Sequence, residues 1–278
     1  MDLTIVIVSF RSGDILHRCI KSIDKKYSII IIENSINDKL KFELERKYSN
    51  VKCIIPKENL GYGGGNNLAL SKVKTNYALI LNPDVILENN SIENFFISAN
   101  KVSNFGIIAP VSEQEKYDNF KYDQDTSIKE VENVKGFAMF FNMKNVQKSN
   151  FFDDNFFLYL EEIDLCKRLR LMNIKIFIDP SIKVKHLGGS SHDSTINKPM
   201  ELSRNWHWMW STFYFNKKHY GYLFALIKIL PKFFSSLSKF IFCKIFLKKN
   251  KSDIHKHRIL GIINSVLLRK SWYRPFLN

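Results

Sequence analysis

Four short apolar runs constrain this chain more than any other feature: LTIVIV (3–8), SIIIIE (28–33), VKCII (51–55) and YALIL (77–81). They are rich in β-branched residues and bounded by polar ones, so each reads as a strand buried on both faces. Between them lie DILHRCIKSI, NDKLKFELERKY and GGNNLALSKV, which carry apolar residues at helical spacing. Strand–helix alternation of this kind implies a parallel sheet with helices as crossovers. In such sheets, ligands bind beyond the carboxyl ends of the strands. The four runs end in Ser9-Phe10-Arg11, Glu33-Asn34-Ser35, Asn59 to Asn67, and Asn82-Pro83-Asp84. Four polar loops on one edge predict a site.

Further along, residues 112–130 are charged and non-periodic and read as a surface loop. VKGFAMFFN (134–142) and IKIFID (174–179) read as strands, and EEIDLCKRLRLMN (161–173) as a helix. KVKHLGGSS (183–191) reads as a short strand breaking into a glycine-rich loop. With 278 residues, 45% of them hydrophobic, the chain can bury one sizeable core. Its four cysteines are scattered and form no Cys/His cluster, which argues against a structural zinc site and a disulfide framework. The opening MDLTIVIVSF enters a strand pattern without signal-peptide features, so a cytoplasmic location is expected.

Charge divides the chain. The first 200 residues are nearly neutral at +2, whereas residues 201–278 hold 15 Lys+Arg against 2 Asp+Glu. The predicted division is a catalytic domain over 1–200 and a basic, aromatic-rich helical extension over 201–278. Residues 220–247 are rich in Phe, Leu and Ile but interrupted by Lys228, Pro231, Lys232, Lys239 and Lys244. No run approaches the roughly 18–20 apolar residues of a spanning helix. Lysines bordering an apolar stripe suit a helix lying on the anionic inner-membrane surface. The alternative is a helical hairpin packed on the catalytic domain or across a homodimer. Nucleic acid is not expected as a partner, because it would draw basic charge across the body too.

Each motif has a chemical and a purely local reading. Asn82-Pro83-Asp84 also suits a turn after a strand. The ENLGYGGGNN segment (58–67) departs from GxGxxG at Asn66 and has no phosphate-loop Lys. It reads either as a loop before a helix or as backbone that comes close to a ligand, with Asn66 and Asn67 near a helix start. Glu161, Glu162 and Asp164 suit a first helical turn through the dipole, with Arg168 and Arg170 suiting its end. They also follow the aromatic stretch FFLYL, and a carboxylate beside apolar walls is where a general base can be tuned. A lone His186 at a strand end is commonly structural; paired with an acid it completes a metal shell.

Taken in order, IVIVSFRSGDILHRCIKSI, IIIIENSIND, ENLGYGGGNNLAL, ALILNPDVIL, VKGFAMFF, FFDDNFFLYLEEIDLCKRLR and VKHLGGSS resemble the family 2 inverting glycosyltransferases, in particular the bacterial rhamnosyltransferase-like branch. The resemblance runs from about residue 3 to about residue 220. It implies a GT-A fold of the α/β class, with a mostly parallel nucleotide-binding sheet flanked by helices. It implies a nucleotide-sugar donor (dTDP-rhamnose or a UDP-sugar), a divalent Mg²⁺ or Mn²⁺, and a glycan or lipid-diphosphate-linked acceptor.

By that resemblance Asp84 takes the last position of an Asp-x-Asp motif and reaches the metal on the donor's diphosphate, and His186 lies beside the same metal. A hard cation with oxygen ligands suits two phosphates. Ser9, Phe10, Arg11 and Asn82 would line the nucleotide, and Glu33 would contact the base. The segment from Asn59 to Asn67, with Gly61, Gly64, Asn66 and Asn67, would lie along the nucleotide. Glu162 matches the general base, with Glu161 and Asp164 as alternates. The pattern departs from the family at Asn82, where the first acid is neutral, and at Glu33 and Glu162, each a methylene longer than Asp. The rival enzyme is a sugar-phosphate nucleotidyltransferase, which would want a glycine-rich, basic loop after the first strand. The rival from another class is a non-catalytic basic binding protein, which leaves the seven ordered blocks without a reason.

Overall fold

The computed structural model describes residues 2–111, 127–187 and 193–275. Most of the loop expected at 112–130, and the glycine-rich segment after His186 from residue 188, lie outside the described residues. The described chain divides into two compact units: Met1–Asp153 with Glu162–Asp193, and Asp154–Glu161 with Ser194–Asn278.

The first unit is built on an eight-stranded sheet. The four apolar runs become β1 (Leu3–Ser9), β2 (Ser28–Glu33), β3 (Val51–Ile54) and β4 (Tyr77–Leu81). They pair in parallel in the order β3-β2-β1-β4, with Ser9 opposite Glu33 and Ile7 opposite Leu81. The crossovers are α1 (Gly13–Lys21), α2 (Asp38–Lys47) and α3 (Gly61–Leu70). After β4 come β5 (Val85–Leu87), α4 (Ser91–Lys101), β6 (Phe105–Pro110), β7 (Lys129–Glu130), β8 (Ala138–Asn142), α5 (Met143–Val146), α6 (Glu161–Leu171), β9 (Lys175–Asp179) and β10 (Val184–His186). Here the sheet stops being purely parallel. β8 runs antiparallel to both β4 and β6, and β7 antiparallel to β9, while β6 and β9 are parallel. β5 and β10 form a separate antiparallel ribbon.

The period-2 geometry of a strand sends alternate side chains to opposite faces. Ile5, Ile7, Ile29, Ile31, Leu79 and Leu81 pack with Leu16 and Ile20 of α1, Leu44 of α2 and Phe95 of α4. Val6, Ile30, Ile32, Ala78 and Ile80 pack on the other face with Leu70 of α3 and Leu165 and Leu169 of α6. The unit is therefore a helix–sheet–helix layer structure, which explains why these strands lack polar alternation.

ENLGYGGGNN is corrected by the structure: only Glu58, Asn59 and Leu60 are loop, and the helix starts at Gly61, ahead of Asn66 and Asn67. α3 opens at Gly61, whose φ of 73° lies in the left-handed region, and Gly63, Gly64 and Gly65 fill most of the rest of its first half. Glycine costs a helix about 1 kcal/mol relative to alanine, so a packing reason is required. A Cβ on Gly65 would lie 2.9 Å from Val8 Cγ1 and 3.3 Å from Asn34 Nδ2. The missing side chain lets α3 press onto the end of β1.

The second unit is helical: α7 (Asn197–Tyr220), α8 (Tyr222–Ile245) and α9 (Lys249–Val266). Met209, Phe213, Ala225, Ile229 and Ile262 form its core. The backbones of α7 and α9 come very close, since a Cβ on Gly261 would stand 2.3 Å from the Trp206 carbonyl oxygen. The segment Asp154–Glu161 belongs to this unit: the Phe156 ring stands 4.9 Å from Tyr214, Phe157 4.6 Å from His207, and Ser211 Oγ donates to the Leu158 carbonyl at 2.8 Å. The aromatic run before the acids is thus core of the helical unit.

Candidate active site

The β1, β2 and β4 strands end side by side, and the polar residues after them meet. Asn34 N donates to Ser9 O at 2.8 Å. The Asn34 amide then joins β2 to α3: its Nδ2 donates to Gly61 O at 2.9 Å and its Oδ1 accepts from Leu60 N at 3.3 Å. Asn59 Oδ1 accepts from Gly61 N at 2.9 Å. Asn59 and Gly61 are therefore the tied-down start of α3.

Several buried oxygens on this edge have no hydrogen-bond partner among the described residues: Ser9 Oγ, Glu33 Oε2, Asn66 Oδ1 and Asp84 Oδ1. Ser9, Glu33 and Asn66 have no solvent exposure, and Asp84 has 2%. Such atoms are costly to leave unmet. The other Glu33 oxygen, Oε1, accepts from the Ser35 amide at 3.0 Å and from the Ser35 hydroxyl. Burial chiefly, and then the charge of Glu33, pushes the Cys53 thiol up to about 12.

Beside this edge is a cavity of about 520 Å³ lined by Arg11, Gly13, Ser35, Asn37, Leu40 and Asp193, within the size range of small-ligand pockets. Arg11 (φ 50°) and Ile36 (φ 57°) border it in the left-handed region, which a β-branched residue rarely enters. Asp193 N donates to Arg11 O at 2.8 Å and closes one side. Phe10 is half-buried just after β1, with its amide donating to Ser12 Oγ.

Asp84 is held by its backbone. Val85 N donates to Asn82 O at 3.1 Å, Asn82 N to Phe137 O at 2.8 Å, and Leu187 N to Asp84 O at 3.0 Å. The β5–β10 ribbon sets His186 opposite Val85, which brings His186 Nε2 to 3.6 Å from Asp84 Oδ1. The imidazole lies on the Phe137 ring, with centroids 4.8 Å apart and planes 12° apart. Phe137 is a member of the site that the sequence pattern does not single out, because it joins through a ribbon folded back from far along the chain. Burial, and secondarily the Asp84 charge, pushes the Cys19 thiol up to about 12.

Asp84 and His186 suit a hard divalent cation: one buried carboxylate oxygen lacks a hydrogen bond, and an imidazole nitrogen is adjacent. Among the described residues no group of three or more His, Cys, Asp or Glu forms a metal cluster. A cation here would take its remaining ligands from phosphate oxygens and water.

The three acids of α6 separate. Asp164 is fully buried, and its Oδ2 accepts from Arg168 Nε at 2.8 Å, while the same guanidinium donates to the Ser149 and Phe151 carbonyls. Arg168 is thus an i,i+4 partner that clamps a loop, beyond any dipole role. Glu161 is 3% exposed. Glu162 alone is half-buried, open enough for another molecule to reach. Just before them Tyr159 (φ 71°) and Leu160 (φ 69°) are consecutive left-handed residues, a costly conformation for side chains of this size. The Asn67 amide exchanges both bonds with the backbone of Phe152, at 2.9 and 3.0 Å. Gly64 lies inside α3, as does Asn66, whose Nδ2 donates to Tyr62 O.

Comparison with known proteins agrees with this architecture. The chain is 24% identical over 198 residues to the low-salt glycan biosynthesis hexosyltransferase Agl10 of Haloferax volcanii, covering 63% of this chain and 64% of that protein's length. It is 24% identical over 239 residues to the rhamnosyltransferase WbbL of Escherichia coli, covering 73% of this chain and 88% of the relative. The mannosyltransferase PcManGT from Pyrobaculum calidifontis, solved with GDP-Man and Mn²⁺, superposes with a TM-score of 0.59 at 9% identity, over 97% of this chain and 88% of that one; the likeness is one of fold. The family model "Glycosyl transferase family 2" matches residues 4–179. That span is most of the first unit and holds Ser9, Glu33, Asp84 and Glu162, and the chain belongs to glycosyl transferase family 2.

Proposed function

We propose that the chain transfers a sugar, rhamnose or a hexose, from a nucleotide-sugar to a hydroxyl of a glycan or lipid-linked glycan, with inversion at the anomeric carbon. The observation that carries this is Asp84: a buried carboxylate oxygen without a hydrogen bond, at the carboxyl edge of a parallel strand, facing an imidazole. The two relatives are named for hexosyl and rhamnosyl transfer, and the mannosyltransferase neighbour holds a nucleotide-sugar with Mn²⁺.

In this reading the cavity beside Arg11 and Ser35 receives the nucleotide, and the unmet oxygens Glu33 Oε2 and Ser9 Oγ, at the ends of the adjoining strands, are available to it. Asp84 and His186 would hold Mg²⁺ or Mn²⁺, which supplies positive charge against the leaving diphosphate. Glu162 takes the proton from the acceptor hydroxyl. The acceptor oxygen forms its bond to the anomeric carbon as the bond to the nucleoside diphosphate breaks, and that bond's electron pair leaves with the diphosphate. Glu162 is chosen over its neighbours because Asp164 is committed to Arg168 and Glu161 is buried.

The test is a donor panel of dTDP-rhamnose, UDP-hexoses and GDP-sugars, scored for divalent-cation-dependent release of nucleoside diphosphate. One donor class is expected to be turned over. Release of pyrophosphate from a nucleoside triphosphate and a sugar phosphate, with no nucleotide-sugar used, would replace this reading with the nucleotidyltransferase.

A further inference from the structure

Helix α8 has two apolar faces, and only one of them is packed. Ala225, Ile229, Ser236 and Cys243 are buried, and Ala225 and Ile229 contribute to the core that includes Met209 and Ile262. Leu223, Ile227, Leu230, Phe234, Ile241 and Ile245 are exposed by 75, 68, 45, 61, 50 and 69%. At 3.6 residues per turn these six positions fall within about 60° of one another, on the side opposite the packed face. Ser238 occupies the one gap, between Phe234 and Ile241. A continuous apolar stripe of this length is more than the scattered exposed apolar residues of an ordinary surface.

Charge selects what covers it. Residues 202–252 hold nine Lys and one Arg and no Asp or Glu. Lys228, Lys232 and Lys239 are exposed on the side of α8 between the stripe and the packed face. Lys228 Nζ is 5.5 Å from the Phe224 ring centroid, Lys244 Nζ 5.9 Å from Phe240 and Lys248 Nζ 5.5 Å from Phe242, so cationic groups sit over exposed and half-buried aromatic rings of this segment. A second copy docked on this helix would bring two strongly basic segments together, and residues 202–252 supply no carboxylate to offset them. Crossing a bilayer is not the alternative, since among the described residues no helix is long and apolar enough.

We infer that α8 docks on the surface of a bilayer containing anionic phospholipid, with the six-residue stripe among the acyl chains and the lysines at the phosphates. The stripe supplies apolar burial and the lysines supply charge attraction, the two contributions that hold an interfacial helix in place. Such docking deepens the proposed transfer reaction by favouring an acceptor carried on a lipid, but vesicle binding needs neither donor nor acceptor, so the two ideas fail separately.

The experiment is co-sedimentation of the full chain with phosphatidylglycerol/phosphatidylcholine vesicles and with pure phosphatidylcholine vesicles, across a salt series. Binding to the anionic vesicles alone, weakened by salt, is expected. Ile227→Gln with Phe234→Gln and Ile241→Gln should lower the partition coefficient more than about tenfold with an unchanged circular dichroism spectrum. Each of Lys228→Gln, Lys232→Gln and Lys239→Gln should lower it about fivefold at low salt. Ser238→Phe, which fills the gap, should raise it. Equal binding to neutral vesicles, wild-type binding by the triple glutamine variant, or a lipid-free dimer that this variant dissociates would overturn the inference.

Discussion

His186 Nε2 stands 3.6 Å from Asp84 Oδ1, too long for a good hydrogen bond and close enough for both to hold one ion. The carboxylate oxygen is left buried and without a hydrogen bond, an arrangement that costs stability unless something else meets it. Asp84→Asn should therefore keep or slightly raise thermal stability while abolishing cation-dependent donor binding. Calorimetric titration of the nucleotide-sugar with and without Mn²⁺ checks this; a variant that still binds donor in a cation-dependent way would remove Asp84 from the site.

Glu162 and Asp164 should separate cleanly by mutation. Glu162→Gln is expected to lower kcat by about 10²–10⁴ with donor affinity and unfolding midpoint unchanged. Asp164→Asn instead weakens a buried ion pair with Arg168 and should appear first as lost stability, up to roughly 3–5 kcal/mol in urea unfolding. If Glu162→Gln retains full transfer, the base lies elsewhere.

Gly65→Ala should destabilise the first unit by about 1–3 kcal/mol, because the new methyl meets a Val8 methyl at 2.9 Å on a stiff β-branched side chain. Val8→Ala should rescue it, giving a double mutant more stable than additivity allows. Gly261→Ala has no such remedy, since its Cβ meets the Trp206 carbonyl oxygen, and it should cost more. Chemical denaturation of the three variants and the double mutant makes the comparison.

Acid should loosen the helical unit through His207. This ring is fully buried; a carbonyl can only accept, so Nε2–H donates to Tyr273 O at 2.6 Å and Nδ1 accepts from Ser271 Oγ at 3.0 Å. Burial chiefly, with the Arg274 charge adding, pushes its pKa down from 6.5 to about 3, against the Tyr273 hydrogen bond. The unfolded chain therefore binds the proton that the folded one refuses. The contribution is complete above about pH 6.5, falls by up to about 1.4 kcal/mol per pH unit below it, and levels off below about 3. Unfolding free energies at pH 7.5, 5.5 and 4.5 should show this slope, and His207→Gln should flatten it.

Much of the first unit is legible in the amino-acid order because its signals are local. β1, β2, β3 and β4 are uninterrupted β-branched runs, and the polar residues that end them are the ones that meet on the sheet edge. The order of the seven blocks points to the family; residue type and place mark Asp84 and Glu33 as polar groups at strand ends and leave Glu161, Glu162 and Asp164 together, and it is the resemblance that singles out Glu162. What local signals could not carry was anything set by contact across the chain. Glycines read as loop because glycine disfavours helix, yet tight packing of α3 on Val8 overrides that preference. Asp164 resembled a candidate base until Arg168, one helical turn on, was seen to bind it together with two carbonyls. Phe137 and His186 come together only when the β5–β10 ribbon closes. The Phe156–Leu160 run leaves the sheet unit for the helical one, and no period in the sequence records that choice. Periodicity encodes which face of an element is apolar; only tertiary packing decides what, if anything, covers it, and on α8 it covered one face and left the other to solvent.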